Sequence, residues 1–415
     1  MVIATVRPGF VTSSAGISFG PRRGGPGAAL TGLLLLAVAL GVAGCQGREG
    51  QHAAGAVTTN QAGPSAVPAD QTQAAEAQAV SFTMGTYAQI RATAATRTQA
   101  EKAVQAALAE LDRLAAQVDR FRDDTQVAEI NRHAGDGTWI RVSPDLVSML
   151  LTARRVHEAS HGAFDPTIAP LVDLWGFVET EETAPTEAST PESPLEGMGP
   201  THLRGHRPPS QDAIAKLLSL VSFSDVEIDE AGRKVRLRRP GQALDLGGIA
   251  KGYAVAKAAE VLRRHGVTSA LLDLGGNIYA LGKKNSGEPW RAGVQDPRDP
   301  SSVIAIVPVA DEALATSGDY ERYFEYDGTR YSHLLDPHTG WPAGQVLSVT
   351  VITPDGGLGD ALSTAAFVLG PVKGLELLES LPGVEGIFVL PDFSVKVTSG
   401  LKGKVELAGR GRWAP

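Results

Sequence analysis

Short stretches scattered along the chain place proton-handling and cation-binding side chains in turns and at helix starts. In YSHLLDPHTG (331–340), Ser332, His333, Asp336, His338 and Thr339 crowd around an apolar pair, in a chain with nine histidines. Asp336-Pro337 opens a turn and Thr339-Gly340 closes one, because proline fixes φ and glycine accepts positive φ. That accounts for the second half of the stretch and leaves His333 unexplained. In LDLGGIAKGY, two glycines join a strand to a helix, with Asp245, Gly248 and Lys251 around the turn. Such a turn lets a ligand approach the backbone, and the free N–H groups of a helix start favour an anion such as phosphate. The glycine spacing fits neither a dinucleotide fingerprint nor a P-loop. Taken alone, the turn reads equally as a packing device, but Asp245 and Lys251 point to a polar site.

The other stretches are as ambiguous one by one. Gly162-Ala163-Phe164-Asp165-Pro166-Thr167 follows a helix end, with Gly162 suited to a left-handed cap. Asp165 has no evident structural duty there, and Trp175 and Phe177 read as core. Asp360 starts a helix directly after Gly359 and reads as its N-cap. Asp360, Ser363 and Thr364 also share one helical face at i, i+3 and i+4. Hard oxygens on one face suit Mg²⁺, which takes carboxylate, hydroxyl, water and phosphate ligands.

The elements that must position these residues follow from periodicity. Structure is expected from Val80, where SFTMGTYAQIRA alternates as a strand. Thr98 to Glu101 reads as a capping box, followed by Val104, Leu108, Leu111 and Val118 at helical spacing. Ser143-Pro144 opens a second helix. DVEID and KVRLR make a hairpin, and the Asp245 turn joins a strand to a helix that precedes the buried strand TSALLDLGG. Further strands are expected at 303–309, 347–353 and near 385–398, with a helix at 360–369. Hairpins outnumber βαβ crossovers, which predicts an α+β fold with mixed or antiparallel sheets and packed helices.

With 415 residues, 43% hydrophobic and 20% charged, the chain has ample length for a large core. Its net charge of −8 argues against electrostatic binding of nucleic acid. The single cysteine, Cys45, excludes a disulfide framework within the chain. Arg22 and Arg23 precede an apolar run, Ala28 to Val42, that ends in Ala43-Gly44-Cys45, the pattern of an export signal. With a cysteine at the cut, it resembles a bacterial lipobox, which implies lipid on Cys45 and an exported, membrane-anchored protein facing the periplasm or cell exterior. The expected organisation is a signal over 1–45, a disordered tether over 46–79 poor in large apolar residues, a domain over 80–398 and a tail over 399–415. Residues 180–209, acidic and then proline-rich, read as an exposed insertion loop.

Taken in order, MGT, GAFDPT with LWGF, DLGGIAKGY, LLDLGGN, ATSGDYERY, YSHLLDPHTG and DALSTA resemble the ApbE family of FAD:protein FMN transferases, from about residue 80 to 395. The resemblance implies a T-fold-like architecture and a reaction that splits FAD at its pyrophosphate. FMN passes to a Ser/Thr hydroxyl of an acceptor flavoprotein, and AMP leaves. It would make His333 the base beside that hydroxyl, with Met84, Phe121, Ala163, Phe164, Asp165, Asp245, Lys251 and Leu335 lining the FAD site. Gly248, through its carbonyl, would hold Mg²⁺ with Asp360, Ser363 and Thr364. Phe121 stands where the family commonly has tyrosine, losing a hydroxyl and keeping a stacking face. Two rivals keep the same site: a Mg²⁺-dependent FAD pyrophosphatase, with water as acceptor, and a lipoprotein that only binds FAD.

Overall fold

The computed structural model describes residues 74–177, 201–203 and 205–414. The expected signal with Cys45, residues 46–73 of the expected tether and residues 180–200 of the expected insertion lie outside the described residues.

Among the described residues, nine strands form the main sheet. Their spatial order is Ala75–Thr83, Thr86–Ala94, Ser269–Leu274, Asn277–Gly282, Glu312–Gly318, Ser348–Thr353, Glu385–Val389, Ser394–Val397 and Arg412–Trp413. Every neighbouring pair is antiparallel except the last. The helices are α1 (Arg97–Val118), α2 (Gln126–Arg132), α3 (Pro144–Ala159), α4 (Ala169–Trp175), α5 (Gln211–Leu218), α6 (Ala250–Arg264) and α7 (Gly356–Glu379). The α+β expectation therefore holds.

One face of the sheet packs against α1, α6 and α7, and the core lies between them. Val104, Leu111 and Leu114 of α1 and Leu362, Ala365 and Phe367 of α7 are fully buried there, together with Ile90 and Leu272 of the sheet. Each buried leucine, isoleucine or phenylalanine contributes about 1.5–3 kcal/mol by leaving water. The opposite face carries a second apolar layer, in which Ile278, Leu314 and Ile387 meet Val294 and Ile304 of the Trp290–Asp296 and Asp299–Val309 strands. A third, aromatic cluster of Trp175, Phe177, Phe324 and Leu335 joins α4 to the hairpin Arg322–Tyr326/Thr329–Ser332. Trp175 and Phe177 are core, as expected.

Several boundaries differ from the sequence reading. The first strand begins at Ala75, inside the expected tether, because its small residues pair along the whole length of Thr86–Ala94. SFTMGTYAQIRA is a hairpin rather than one strand, and its tip, Met84-Gly85, takes φ of 51° and 70°. Two successive left-handed residues are what a two-residue hairpin turn requires. The cap of α1 is Thr96, which accepts from Gln99 N–H at 3.2 Å, two residues before the expected box. Glu101 instead pairs with Arg97 at 2.6 Å. Ser143 caps α3 as expected, accepting from Leu146 N–H at 3.1 Å.

The segment before the Asp245 turn is extended but joins no sheet. Leu244 N–H donates to Asn131 Oδ1 and Asp245 N–H to Pro166 O, while Leu244 and Leu246 are buried. The end of the expected insertion is docked, since Thr201–His202 pairs in parallel with Arg322–Tyr323 and Leu203 is buried. The expected tail is also integral. Glu406–Leu407 pairs with the Asp299–Val309 strand, Arg412–Trp413 closes the main sheet, and Leu401 and Val405 are buried.

Candidate active site

α6 has no side-chain cap of its own. Its third residue, Gly252, donates its N–H to Asp360 Oδ2 at 2.9 Å, so a carboxylate from α7 does the work of an N-cap across two helices. A Cβ at Gly252 would lie 2.1 Å from Gly356 O and 2.6 Å from Asp360 Cβ, which is why glycine stands there. α7 is capped by Asp355, which accepts from Leu358 N–H at 3.1 Å. The N-cap reading of Asp360 is thus corrected: Asp360 is an interior residue of α7 and buried. Burial pushes its carboxyl up, with the Lys251 cation and the Gly252 N–H working against that shift.

One turn along α7, Ser363 donates to Asp360 O at 2.8 Å. Its Oγ also lies 2.8 Å from Ser317 Oγ, which is 3.2 Å from Thr364 Oγ1. Ser317, from ATSGDYERY, thus completes a hydroxyl network that sequence reasoning did not find. A Cβ on Gly248 would sit 3.3 Å from Thr364 Oγ1 and 3.1 Å from the Phe164 ring, so three expected motifs meet here. The donors are one carboxylate, hydroxyls and a nearby carbonyl, a set suited to a hard cation. Among the described residues no three His, Cys, Asp or Glu side chains converge to hold a metal, so hydroxyl and carbonyl oxygens would have to complete any coordination shell around Asp360.

The Asp245 turn forms the next wall. Asp245 Oδ1 accepts from Gly247 N–H at 2.8 Å, and Oδ2 accepts from Arg120 Nε at 2.8 Å. Lys251 Nζ donates to Gly247 O at 3.2 Å, folding the ammonium back over the glycine turn. Phe121, beside Arg120, exposes 59% of its surface. Met84, at its hairpin tip, is half-buried against the main core.

Asp165 has a structural duty after all. Its Oδ1 accepts from Thr167 N–H at 2.8 Å and Thr167 Oγ1 at 2.5 Å, and its Oδ2 from Phe223 N–H at 3.0 Å. The carboxylate staples the turn to a loop 58 residues away, so a ligand at this turn would meet the backbone of Ala163–Asp165 or the Phe164 ring. Behind Asp165, a cavity of about 380 Å³ opens between His157, His161, Ser222 and His338. Its walls include none of His333, Lys251 or Asp360.

His333 follows the edge strand Thr329–Ser332. Its N–H donates to Arg322 O at 3.0 Å, and Nδ1 lies 3.3 Å from the same oxygen. Nδ1–H donating there is the tautomer that leaves Nε2 as the proton acceptor. Burial first, then the Arg322 and Lys251 cations, push the imidazole pKa down to about 3, so it is neutral at physiological pH. The DPHTG turn is anchored by Trp175 Nε1, which donates to Gly340 O at 2.8 Å, and by Gly340 N–H to Asp336 O. Leu335 is buried in the aromatic cluster, so its side chain is core and only its main chain is left for a ligand. Lys251 acts on both His333 and Asp360, which places an imidazole, a buried carboxylate and a cation in one electrostatic neighbourhood.

A model of the ApbE family matches residues 84–388. The chain is similar to a FAD:protein FMN transferase of Treponema pallidum, 35% identical over 323 residues, covering 73% of this chain and 82% of the relative. The ApbE protein of Thermotoga maritima superposes with a TM-score of 0.68 at 31% identity, over 80% of this chain and 99% of the other. The apo form of the flavinyl transferase ApbE of Pseudomonas stutzeri gives 0.66 at 31% identity, over 81% and 98%.

Proposed function

This chain belongs to the ApbE family of FAD:protein FMN transferases, and we propose that it moves FMN from FAD to a Ser/Thr hydroxyl of an acceptor flavoprotein. The acceptor oxygen attacks the FMN phosphorus, the bond from that phosphorus to the bridging oxygen breaks, and AMP leaves. The hydroxyl proton passes to His333 Nε2. The observation that carries the reading is the grouping of a neutral His333, cationic Lys251 and buried Asp360. A base must be deprotonated to act, and phosphoryl transfer depends on cations around the phosphates. Lys251 supplies one positive charge beside that anion.

Asp360, Ser363, Thr364 and the Gly248 carbonyl would hold Mg²⁺, which would offset charge on the pyrophosphate oxygens. The raised pKa of Asp360 supports this, since a buried carboxylate with incomplete compensation is stabilised by a cation. Phe121, Met84 and the backbone of Ala163–Asp165 would line the FAD site with Asp245. Lipid on Cys45 would tether the domain to a membrane outside the cytoplasm, within reach of membrane-bound or exported acceptors.

The test mixes the mature protein, FAD, Mg²⁺ and a candidate acceptor, then reads flavin fluorescence in the acceptor band of a denaturing gel and AMP in solution. A fluorescent band with matching AMP is expected. AMP and free FMN without a labelled acceptor would mean hydrolysis and overturn the transferase reading.

A further inference from the structure

Arg120 sits where segments far apart in sequence meet, and its side chain is only 9% exposed. Nε donates to Asp245 Oδ2 at 2.8 Å, and the two terminal nitrogens donate to Asp173 at 2.6 and 3.2 Å. Its guanidinium carbon lies 4.2 Å from the centroid of the Phe121 ring, which is otherwise exposed. We propose that Arg120 is a positioning residue that holds Phe121 and Asp245 as a two-part clamp for one ring system of FAD. The proposal rests on the FAD reading above and adds to it a residue that acts without touching the ligand.

The physical argument runs through what each partner gains. An exposed phenylalanine ring has rotamer freedom that a stacked ligand would have to freeze. A cation against one face fixes the plane and leaves the other face for stacking. Asp245 accepts from both Arg120 and the Gly247 N–H, and a carboxylate engaged in this way presents only acceptor lone pairs to a ligand. It therefore selects a donor on the ligand, a ring N–H or a ribose O–H. Asp173 grips the two terminal nitrogens from the far side, which sets the plane of the guanidinium. A lysine keeps the charge but cannot span both carboxylates in that plane while stacking on the ring.

The test titrates FAD, in EDTA so that no turnover occurs, into wild type, Arg120→Lys, Phe121→Leu, the double variant and Asp173→Asn, with kcat measured separately in Mg²⁺. Arg120→Lys should weaken FAD binding about tenfold and leave kcat within about twofold, as expected of a lost stack and fork. With Phe121→Leu present, the same change should cost at most about threefold, because part of its effect travels through the ring. Asp173→Asn, at a half-exposed site, should weaken binding about threefold without disturbing the Asp245 bond. Unchanged binding in both Arg120→Lys and Asp173→Asn, or the full tenfold loss in the Phe121→Leu background, would overturn the proposal. Wild-type protein that binds no FAD would overturn the reading of function, and this proposal with it.

Discussion

Asp360 caps a helix other than its own: its Oδ2 accepts the N–H of Gly252, 108 residues earlier in the chain. The bond fixes the start of α6 against the first turns of α7. In this way the Asp245 and Lys251 turn is held beside the Ser363 and Thr364 hydroxyls. The contact leaves no room for a side chain on α6. Gly252→Ala would force a methyl group to within 2.1 Å of Gly356 O. Alanine's better helix propensity offsets only part of that clash, so a net loss of about 1–3 kcal/mol is expected from overpacking. Urea unfolding of the variant measures it, and unchanged stability would mean that the two helices separate easily.

The two acidic residues at the start of α7 should separate cleanly by experiment. Asp355→Ala removes a true N-cap and should cost about 1 kcal/mol of stability while leaving transfer intact. Asp360→Asn keeps an acceptor for Gly252 N–H and removes the charge, so stability should change by less than about 1 kcal/mol. Transfer should instead fall about 10²–10³-fold, the usual loss when a transition-state electrostatic partner is removed. FAD binding should weaken only modestly. Full turnover of Asp360→Asn, or of wild type in EDTA, would reject the Mg²⁺ assignment and leave Asp360 as a cap alone.

What the sequence revealed and what it hid divide by the range of the interactions. Ser143-Pro144 was legible because a cap and its helix are adjacent, and the DVEID/KVRLR hairpin because its turn is local. The motifs around His333, Lys251 and Asp360 were legible as types and spacings. Asp165's bonds to Thr167 are local, but its bond to Phe223, 58 residues away, which ties the turn to a distant loop, is not. Ser317 and Ser363 are 46 apart, and Arg120 and Asp245 are 125 apart. No periodicity encodes such pairs, since they depend on how finished elements pack. The tail was misread for the same reason: its short strands are stable only on sheet edges built by other segments.

The anchor is tested outside the folded domain. Cys45→Ser should release the protein from the membrane fraction and leave FAD chemistry unchanged, because Cys45 lies 30 residues before the first strand at Ala75. On the lipid-anchor reading, loss of the acyl chains would remove the hydrophobic attachment, about 0.8 kcal/mol per buried CH₂. Membrane fractionation with an activity assay on both fractions reads this. A wild-type protein found soluble with Met1 intact would defeat the lipid-anchor reading.

His333 offers the sharpest test, because burial and charge make opposite predictions to an ordinary histidine. With its pKa near 3, the imidazole stays neutral across the pH range in which a free one would titrate, around 6.5. The transfer rate should therefore hold nearly level from pH 8 down to about pH 5, where an unperturbed base would already have lost most of its activity. The sign for stability follows from the same shift. The unfolded chain binds the proton more readily than the folded one between about pH 6.5 and 3, so this residue's contribution is complete above 6.5 and is lost as pH falls through that window. On the proposed reading, bound FAD would bring a negative pyrophosphate close to the ring and raise its pKa. The acid limb of kcat should consequently lie at higher pH than that of kcat/KM. His333→Ala should lower the transfer rate by about 10²–10⁴ with FAD affinity nearly unchanged, the range for loss of a positioned base. A mutant that transfers FMN at the wild-type rate would make His333 a structural residue of its turn, and a wild-type rate that halves near pH 6.5 in both parameters would contradict the half-buried, cation-flanked ring.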